Sequence, residues 1–203
     1  GHSVVWMSDR AAEKGLRGWE RSATGSAAFR PMNPDELEPY AAVMTRAPVA
    51  GIRFSGTAQV SEPQAARDAL MTAFRSHGGD VVHARVARLS SGDRAVAHLD
   101  GGGVREAEGA LVAAGAWAGR LMRDLGVEAP VIGERGYSVQ SADHGWDETL
   151  PPTVFEEHAM VVSRFTSGLR ASSFVEFGSP DAPGDPRKWR SLERRLGDLG
   201  IRF

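Results

Sequence analysis

A chain of 203 residues, 41 % hydrophobic and 25 % charged, has room for one sizeable core or two small ones. Its 26 acidic and 24 basic residues nearly cancel, which argues against a general nucleic-acid or membrane-surface binder. No apolar run approaches the ~18 residues of a membrane span, no stretch reads as a secretory leader, and the absence of cysteine excludes disulfides and thiolate metal sites while fitting a reducing compartment. Only Lys14 and Lys188 are lysines, so the arginines, with abundant Ala and Gly, read as a coding bias rather than a recognition patch.

In chain order, Gly1-His2-Ser3 reads as the remnant of a cleaved tag with no expected part in the fold. A strand is expected at 4–7, starting abruptly as though cut from something longer; a naturally processed terminus is the alternative. Ser8-Asp9 open a polar helix to Trp19 with Ala12, Leu16 and Trp19 on one face. Residues 22–34 read as loop, and Asn33-Pro34-Asp35-Glu36 as a short helix start with proline first. A short strand follows at 52–54. Ser61-Glu62-Pro63-Gln64 fits an S-x-x-Q capping box. The helix after it carries Ala66, Ala69, Leu70, Ala73 and Phe74 on its apolar face and stops at Gly78-Gly79.

Three strands at 81–89, 94–99 and 104–107 are joined by Ser90-Ser91-Gly92-Asp93 and Asp100-Gly101-Gly102-Gly103 turns. Residues 109–126 then read as strand, glycine turn and helix. The apolar run 110–114 stops at Gly115, Trp117, Leu121 and Leu125 follow at helical spacing, and Gly126 closes the helix. A helix start carries unpaired N–H groups and partial positive charge that suit an anion, although many turns of this kind bind nothing. Strands are expected again at 138–142, 154–165 and 169–177, the last two forming a hairpin through Thr166-Ser167-Gly168. Asp185-Pro186 caps a final helix with Trp189, Leu192, Leu196 and Leu199 on one face. The 61–78 helix is expected to pack near the 109–126 unit, and the hairpin to share a sheet with the strand of Tyr137.

Val112-Ala113-Ala114-Gly115-Ala116-Trp117, a leucine-rich helix, a proline and then Glu134-Arg135-Gly136-Tyr137-Ser138 resemble the D-amino-acid oxidase and dehydrogenase superfamily of FAD-dependent oxidoreductases. The upstream order agrees. Gln59-Val60-Ser61-Glu62-Pro63 is similar to the family's entry to a helix, and Gly78-Gly79-Asp80-Val81-Val82 with Arg85-Val86 to one of its strands. Downstream, Gly168-Leu169-Arg170 to Glu176-Phe177 resembles a strand of the substrate domain. The likeness is strongest over 55–140. It implies that Ala113, Ala114, Gly115, Ala116 and Trp117 lie beside the flavin, with the backbone near Arg85 and Val86, and that the Tyr137 strand leads towards the substrate.

Two departures accompany the likeness. The family's opening G-x-G-x-x-G unit is absent, since Gly101-Gly102-Gly103 is followed by Val104-Arg105-Glu106 and reads as a hairpin turn. The family's closing flavin segment has no counterpart before Phe203. The chain is therefore expected to be the middle of an oxidoreductase, with FAD in the intact parent and none held tightly by this chain alone.

Other constellations carry less. Glu156-Glu157-His158 offers metal-ligand types, but neighbours on a strand point to opposite faces and no second histidine lies four residues on. Asp143-His144 lacks the G-x-S-x-G elbow of a hydrolase. Amino-acid oxidation of the family type needs a hold on the substrate carboxylate, which a guanidinium gives bidentately and a phenol supplements. Tyr137 and Arg135 share one face of a strand, and Arg164 and Arg170 lie on the later hairpin, so these four are the substrate-binding candidates. Ser173 stands where the family often has glycine.

The expected fold is α+β, a mixed, largely antiparallel sheet with flanking helices. After residues 1–3, its parts are a first substrate-domain segment at 4–58, a flavin-domain remnant at 59–128 and a second substrate-domain segment at 129–203. The expected parent oxidises an amine, a D-amino acid by resemblance, to an imine by hydride transfer to flavin. Its expected partners are that amine or amino acid and the flavin-domain segments not in this chain, with no nucleic acid and no transmembrane segment. The expected location is cytoplasmic or peripheral to the inner face of the membrane. No metal and no catalytic residue are assigned; a non-catalytic binding module that kept the substrate-domain fold is the competing class.

Overall fold

Ser3–Trp6 (β1) is buried on both faces, as an inner strand must be. In this computed structural model, which describes all 203 residues, β1 pairs antiparallel with Ala50–Ser55 (β3) and parallel with Thr153–Phe155 (β8). With Ala28–Pro31 (β2), Gly133–Ser141 (β7), Met160–Phe165 (β9) and Gly168–Gly178 (β10), these form a seven-stranded sheet in the order β2-β3-β1-β8-β9-β10-β7. The parallel β1–β8 pair makes the sheet mixed, while β1–β3, β2–β3, β8–β9 and β9–β10 pair antiparallel. Two compact units result: Gly1–Asp68, Gly136–Phe174 and Gly184–Phe203 form the first, Ala69–Arg135 and Val175–Pro183 the second.

Alternation along β1 feeds two apolar layers in the first unit. Val4 and Trp6 meet Ile52, Phe54 and the Ala12, Leu16 and Trp19 face of Asp9–Trp19 (α1). Val5 turns to a larger core with Tyr40 of the short helix Tyr40–Val43 (α3), Phe155, Met160, Val162 and Leu169, closed by Leu192, Leu196 and Leu199 of Pro186–Leu199 (α6). Both helices carry the caps expected of them. Ser8 Oγ accepts from Ala11 N at 3.4 Å, and Asp185 Oδ1 from Arg187 N at 2.9 Å. Residues 2 and 3, expected to be a tag remnant, belong to this fabric: Ser3 is buried in β1, and the His2 ring stacks on Phe54 at 4.3 Å.

Pro34–Leu37 (α2) opens with a full capping box: Asn33 Oδ1 accepts from Glu36 N at 3.0 Å, and Glu36 Oε2 from Asn33 N at 3.1 Å. Arg30 forks onto the same carboxylate at 2.7 and 2.8 Å and, with the Asn33 amide, holds its pKa down to about 2 from 4.5. A depressed carboxylate pKa stabilises the fold above the unfolded value and ceases to do so as pH falls through the folded value. The stability that the box contributes will therefore fade between about pH 4.5 and pH 2, and a carboxyl-detected titration of Glu36 in the folded chain should show a midpoint near 2. A midpoint near 4 would mean that the Arg30 fork does not persist in solution.

Glu62, rather than Ser61, starts Pro63–Ser76 (α4): its carboxylate accepts from Gln64 N at 3.3 Å and from Ser167 N at 3.1 Å. The Ser167 contact chiefly holds the Glu62 carboxyl below its usual range. The apolar face of α4 is not buried against the 109–126 segment as expected; Leu70 is 73 % exposed, and Phe74 curls back over Gly79. Division into units falls inside α4, at Asp68 and Ala69.

In the second unit, Val86–Ser91 (β4), Ala95–Leu99 (β5) and Val104–Ala107 (β6) make an antiparallel meander through the two expected glycine turns. Residues 110–114 are not a strand. They find no ladder to join, and Leu111 stands 92 % exposed, so β-propensity has nothing to pay against. Gly115, at φ +53°, turns the chain into a 3-10 turn and the short Ala118–Arg123 (α5). The sequence also missed β2. It ran 154–165 as one strand, where a 3-10 turn over Glu156–His158 and left-handed Ala159 separate β8 from β9. The β9–β10 hairpin and its sheet with β7 stand as expected. No helix is long and apolar enough to cross a membrane.

Candidate functional site

In the second unit, β4 begins at Val86 and the turn into α5 brings Ala114 and Trp117 beside it. Arg85, Val86, Ala114, Trp117, Arg120, Leu121 and Asp181 line one cleft of about 380 Å³. Four of the seven expected cofactor-lining residues thus meet there although some thirty positions separate the two groups. Ala116 lines a neighbouring hollow with Trp117, while Ala113 and Gly115 lie in the turn that leads into α5.

The cleft has an apolar floor of Val86, Ala114 and Leu121, an indole wall and two guanidinium groups. Arg85 Nε lies 3.4 Å from Asp100 Oδ2, and Trp117 Nε1 donates to Asp181 Oδ1 at 2.9 Å. Arg120 has no carboxylate partner within the chain. A flat aromatic group bearing negative charge fits this chemistry, because the indole and aliphatic walls take the ring while cations take the charge. The sequence placed Leu121 on the apolar helix face without giving it a place in the site, and it did not single out Arg120 or Asp181. The three-residue step from Trp117 is the signal that could have found Arg120, but nothing local signals Asp181, 64 residues downstream of its partner.

The first unit holds three of the four substrate candidates, and it does not bring them together. Strand register pairs Arg164 with Leu169 on the core face and Arg170 with Ser163 on the other. Arg164 is engaged with Glu148 at 2.5 Å. Tyr137 is buried in the larger core; its ring meets Trp189 edge-on at 5.0 Å, and its hydroxyl accepts from Asp185 N at 2.8 Å. Arg170 lies on the half-open face, its guanidinium 4.8 Å from the Phe165 centroid. Gln140 Oε1 accepts from Arg170 Nε and Nη2 at 3.1 and 2.8 Å, while Gln140 is itself tied to Ser167. Nη1 makes no hydrogen bond within the chain, so one guanidinium edge is oriented and available. Gln140 and Phe165 were not singled out in the sequence, since their role depends on cross-strand neighbours.

Arg135, the fourth candidate, belongs to the second unit. It reaches the carbonyls of Ala182 and Pro180, and its Nη1 lies 3.6 Å from Glu176. The Glu156 carboxylate accepts from Trp6 Nε1, and Glu157 from Met7 N and Ser8 Oγ, so both are structural. Asp143 pairs with Arg202 at 2.9 Å.

A family model described as FAD dependent oxidoreductase matches residues 2–199. A D-amino acid dehydrogenase of Paramagnetospirillum magneticum is 34 % identical over 105 residues, 51 % of this chain and 25 % of that protein. An uncharacterized oxidoreductase of Halorhodospira halophila is 29 % identical over 94 residues, covering 46 % and 43 % respectively. The fold is shared with glycine oxidase from Geobacillus kaustophilus (TM-score 0.72, 17 % identity) and L-proline dehydrogenase from P. horikoshii (TM-score 0.71, 12 % identity). Nearly all of this chain superposes, on 56 % and 57 % of those two. The chain spans about half the length of these structures, and less of the curated relatives. A match over residues 2–199, together with this fold, places the chain in the family of FAD-dependent oxidoreductases of amino-acid oxidase and dehydrogenase type.

Proposed function

We propose that this chain supplies the substrate-facing sheet and part of the flavin cleft of an enzyme that oxidises an amino acid, a D-amino acid by its dehydrogenase relative, to the imine. The observation that carries this reading is the convergence of Arg85, Val86, Ala114 and Trp117 on one cleft. FAD, when bound, supplies the two-electron acceptor for the substrate Cα hydride. This chain's part is to bind and orient. Val86, Ala114 and Trp117 offer apolar walls to a flat ring, and Arg85 and Arg120 face its negative charge.

Arg170 is the residue proposed to take the substrate carboxylate. Gln140 fixes two of its donors and Phe165 its plane, which leaves Nη1 pre-oriented at little further entropic cost. Tyr137, Arg135 and Arg164 already serve the fold through Asp185, Ala182 and Glu148. Their role is to hold the surrounding backbone.

Flavin binding by this chain alone will be weak. A few amides and a partly formed cleft contribute on the order of 1 kcal/mol each, whereas nanomolar retention needs about 12 kcal/mol. The proposed partners are therefore further segments of the flavin domain, carrying a dinucleotide fingerprint that this sequence lacks.

An amide-resolved titration of the chain with FAD tests the reading. Shifts are expected at 85–86 and 113–121, saturating only above about 100 μM. Shifts scattered over the first unit, or none at millimolar flavin, would sink the assignment of the cleft. A protein that stays yellow through gel filtration would overturn the expected weakness.

A further inference from the structure

Trp117 borders three hollows of the second unit. They are the Arg85–Val86 cleft, a hollow of about 440 Å³ with Arg123, Glu128 and Val131, and one of about 230 Å³ with Gly133, Arg135 and Glu176. At 47 % exposure, packing covers only half of the ring, so its orientation depends on directed contacts. One is present, the 2.9 Å bond from Nε1 to Asp181 Oδ1.

The loop that carries Asp181 is anchored beyond what closing the chain requires. Asp181 N donates to Ser179 Oγ at 3.3 Å, and Ala182 N to Ser179 O at 3.1 Å. The Arg135 guanidinium reaches the carbonyls of Ala182 and Pro180, on either side of Asp181. At the loop's base, Gly133 and Gly178 approach so closely that a Cβ on Gly133 would stand 2.6 Å from the Gly178 carbonyl oxygen. Two residues that the sequence assigned to different ligands, Trp117 to the cofactor and Arg135 to the substrate, are therefore joined through one short loop.

We propose that Asp181 is a positioning residue: braced by Arg135, it holds the Trp117 ring as the wall between the Arg85–Val86 cleft and its two neighbours. That wall sets the opening offered to a flat anionic ligand. The inference rests on reading the cleft as the cofactor's, and it gives Arg135 a bracing role in place of a substrate contact. Carboxylate charge is not essential to the bond, because the indole N–H needs only an acceptor oxygen.

The test uses the chain labelled with 5-fluorotryptophan, the Trp117 resonance being the one that Trp117→Phe removes. Asp181→Ala is expected to move and narrow that resonance towards free fluoroindole and to raise its quenching by a soluble paramagnet up to about twofold, as full release of a ring already 47 % exposed should. Asp181→Asn keeps the acceptor oxygen and should leave both readings at the wild-type value. Arg135→Met, with a melting transition confirming that it folds, should shift the resonance part of the way.

An unmoved Trp117 resonance in Asp181→Ala overturns the proposal. So does an Asp181→Asn variant that behaves like Asp181→Ala, since loop packing rather than the indole bond would then be at work. In the FAD titration, Asp181→Ala should show an apparent Kd about fivefold above that of Asp181→Asn, which removes the same charge from the cleft and keeps the acceptor, a difference of about one hydrogen bond's net worth. Equal affinities would remove the link between wall and cleft. The fluorine readings need no flavin. A latch that behaves as expected in a chain whose cleft ignores FAD would fail the functional reading alone.

Discussion

Phe155→Ala is expected to destabilise the first unit by about 3–5 kcal/mol, a large share of the 5–15 kcal/mol that keeps a domain folded. Phe155 is fully buried on β8, whose neighbours β1 and β9 flank it, with Val5 and Met160 as its register partners. Its ring meets Trp146 edge-on at 6.3 Å, and Tyr40 stands behind that indole at 6.1 Å. Truncation removes both the transferred surface and the support of this aromatic stack, and strands paired on both sides limit how far the site can collapse. Val154→Ala, one residue earlier and facing the smaller layer, deletes fewer carbons at a half-buried position and should cost about 1–2 kcal/mol. Urea unfolding of the two variants separates these values. A Phe155→Ala cost below about 1 kcal/mol would mean that Trp146 and Tyr40 close over the void, and that the core is far softer than its burial implies.

Where one segment carries its own instruction, the sequence was legible. Ser8, Asn33 and Asp185 announce helix starts because a side-chain oxygen next to an orphan N–H is a local event. Periodicity found the faces of α1 and α6 for the same reason, and the glycine turns found the β4–β5–β6 meander. The errors share the opposite property. Residues 110–114 have strand composition but no partner, β2 has loop composition but an edge to join, and the interruption of 154–165 turns on Ala159 in a conformation its side chain does not advertise.

The candidate site divides along the same line. Resemblance supplied Arg85, Val86, Ala114 and Trp117, and backbone geometry gathered them. Asp181 and Gln140 act through residues distant in sequence, and each is an ordinary polar residue in its own neighbourhood. Residues 135 and 137 do alternate onto one side of a strand, as their spacing requires. Nothing in that spacing says that the phenol meets the start of α6 or that the guanidinium braces a loop.

Gly168→Ala tests whether the open sheet face around Arg170 is set by its turn. Gly168 begins β10 at φ +132°, a backbone conformation that L side chains rarely adopt. A Cβ there would stand 2.3 Å from the Ser141 carbonyl oxygen and 2.9 Å from its carbon, and both are backbone atoms of β7 that cannot rotate away. Strain and displacement together should cost on the order of 3 kcal/mol. The strand that must move carries Gln140, so the 2.8 Å bond to Arg170 Nη2 is expected to break and free the guanidinium over Phe165. Gly136→Ala, on the same β7 with open space at its Cβ position, should stay within about 1 kcal/mol of wild type. Thermal melts give the energies, and the Arg170 Nε–H resonance reports the bond through its exchange with water. An Arg170 Nε–H as protected in Gly168→Ala as in the wild type would show that Gln140 follows its partner without the turn's help, and the pre-orientation assigned to Arg170 would then have to come from Phe165 alone.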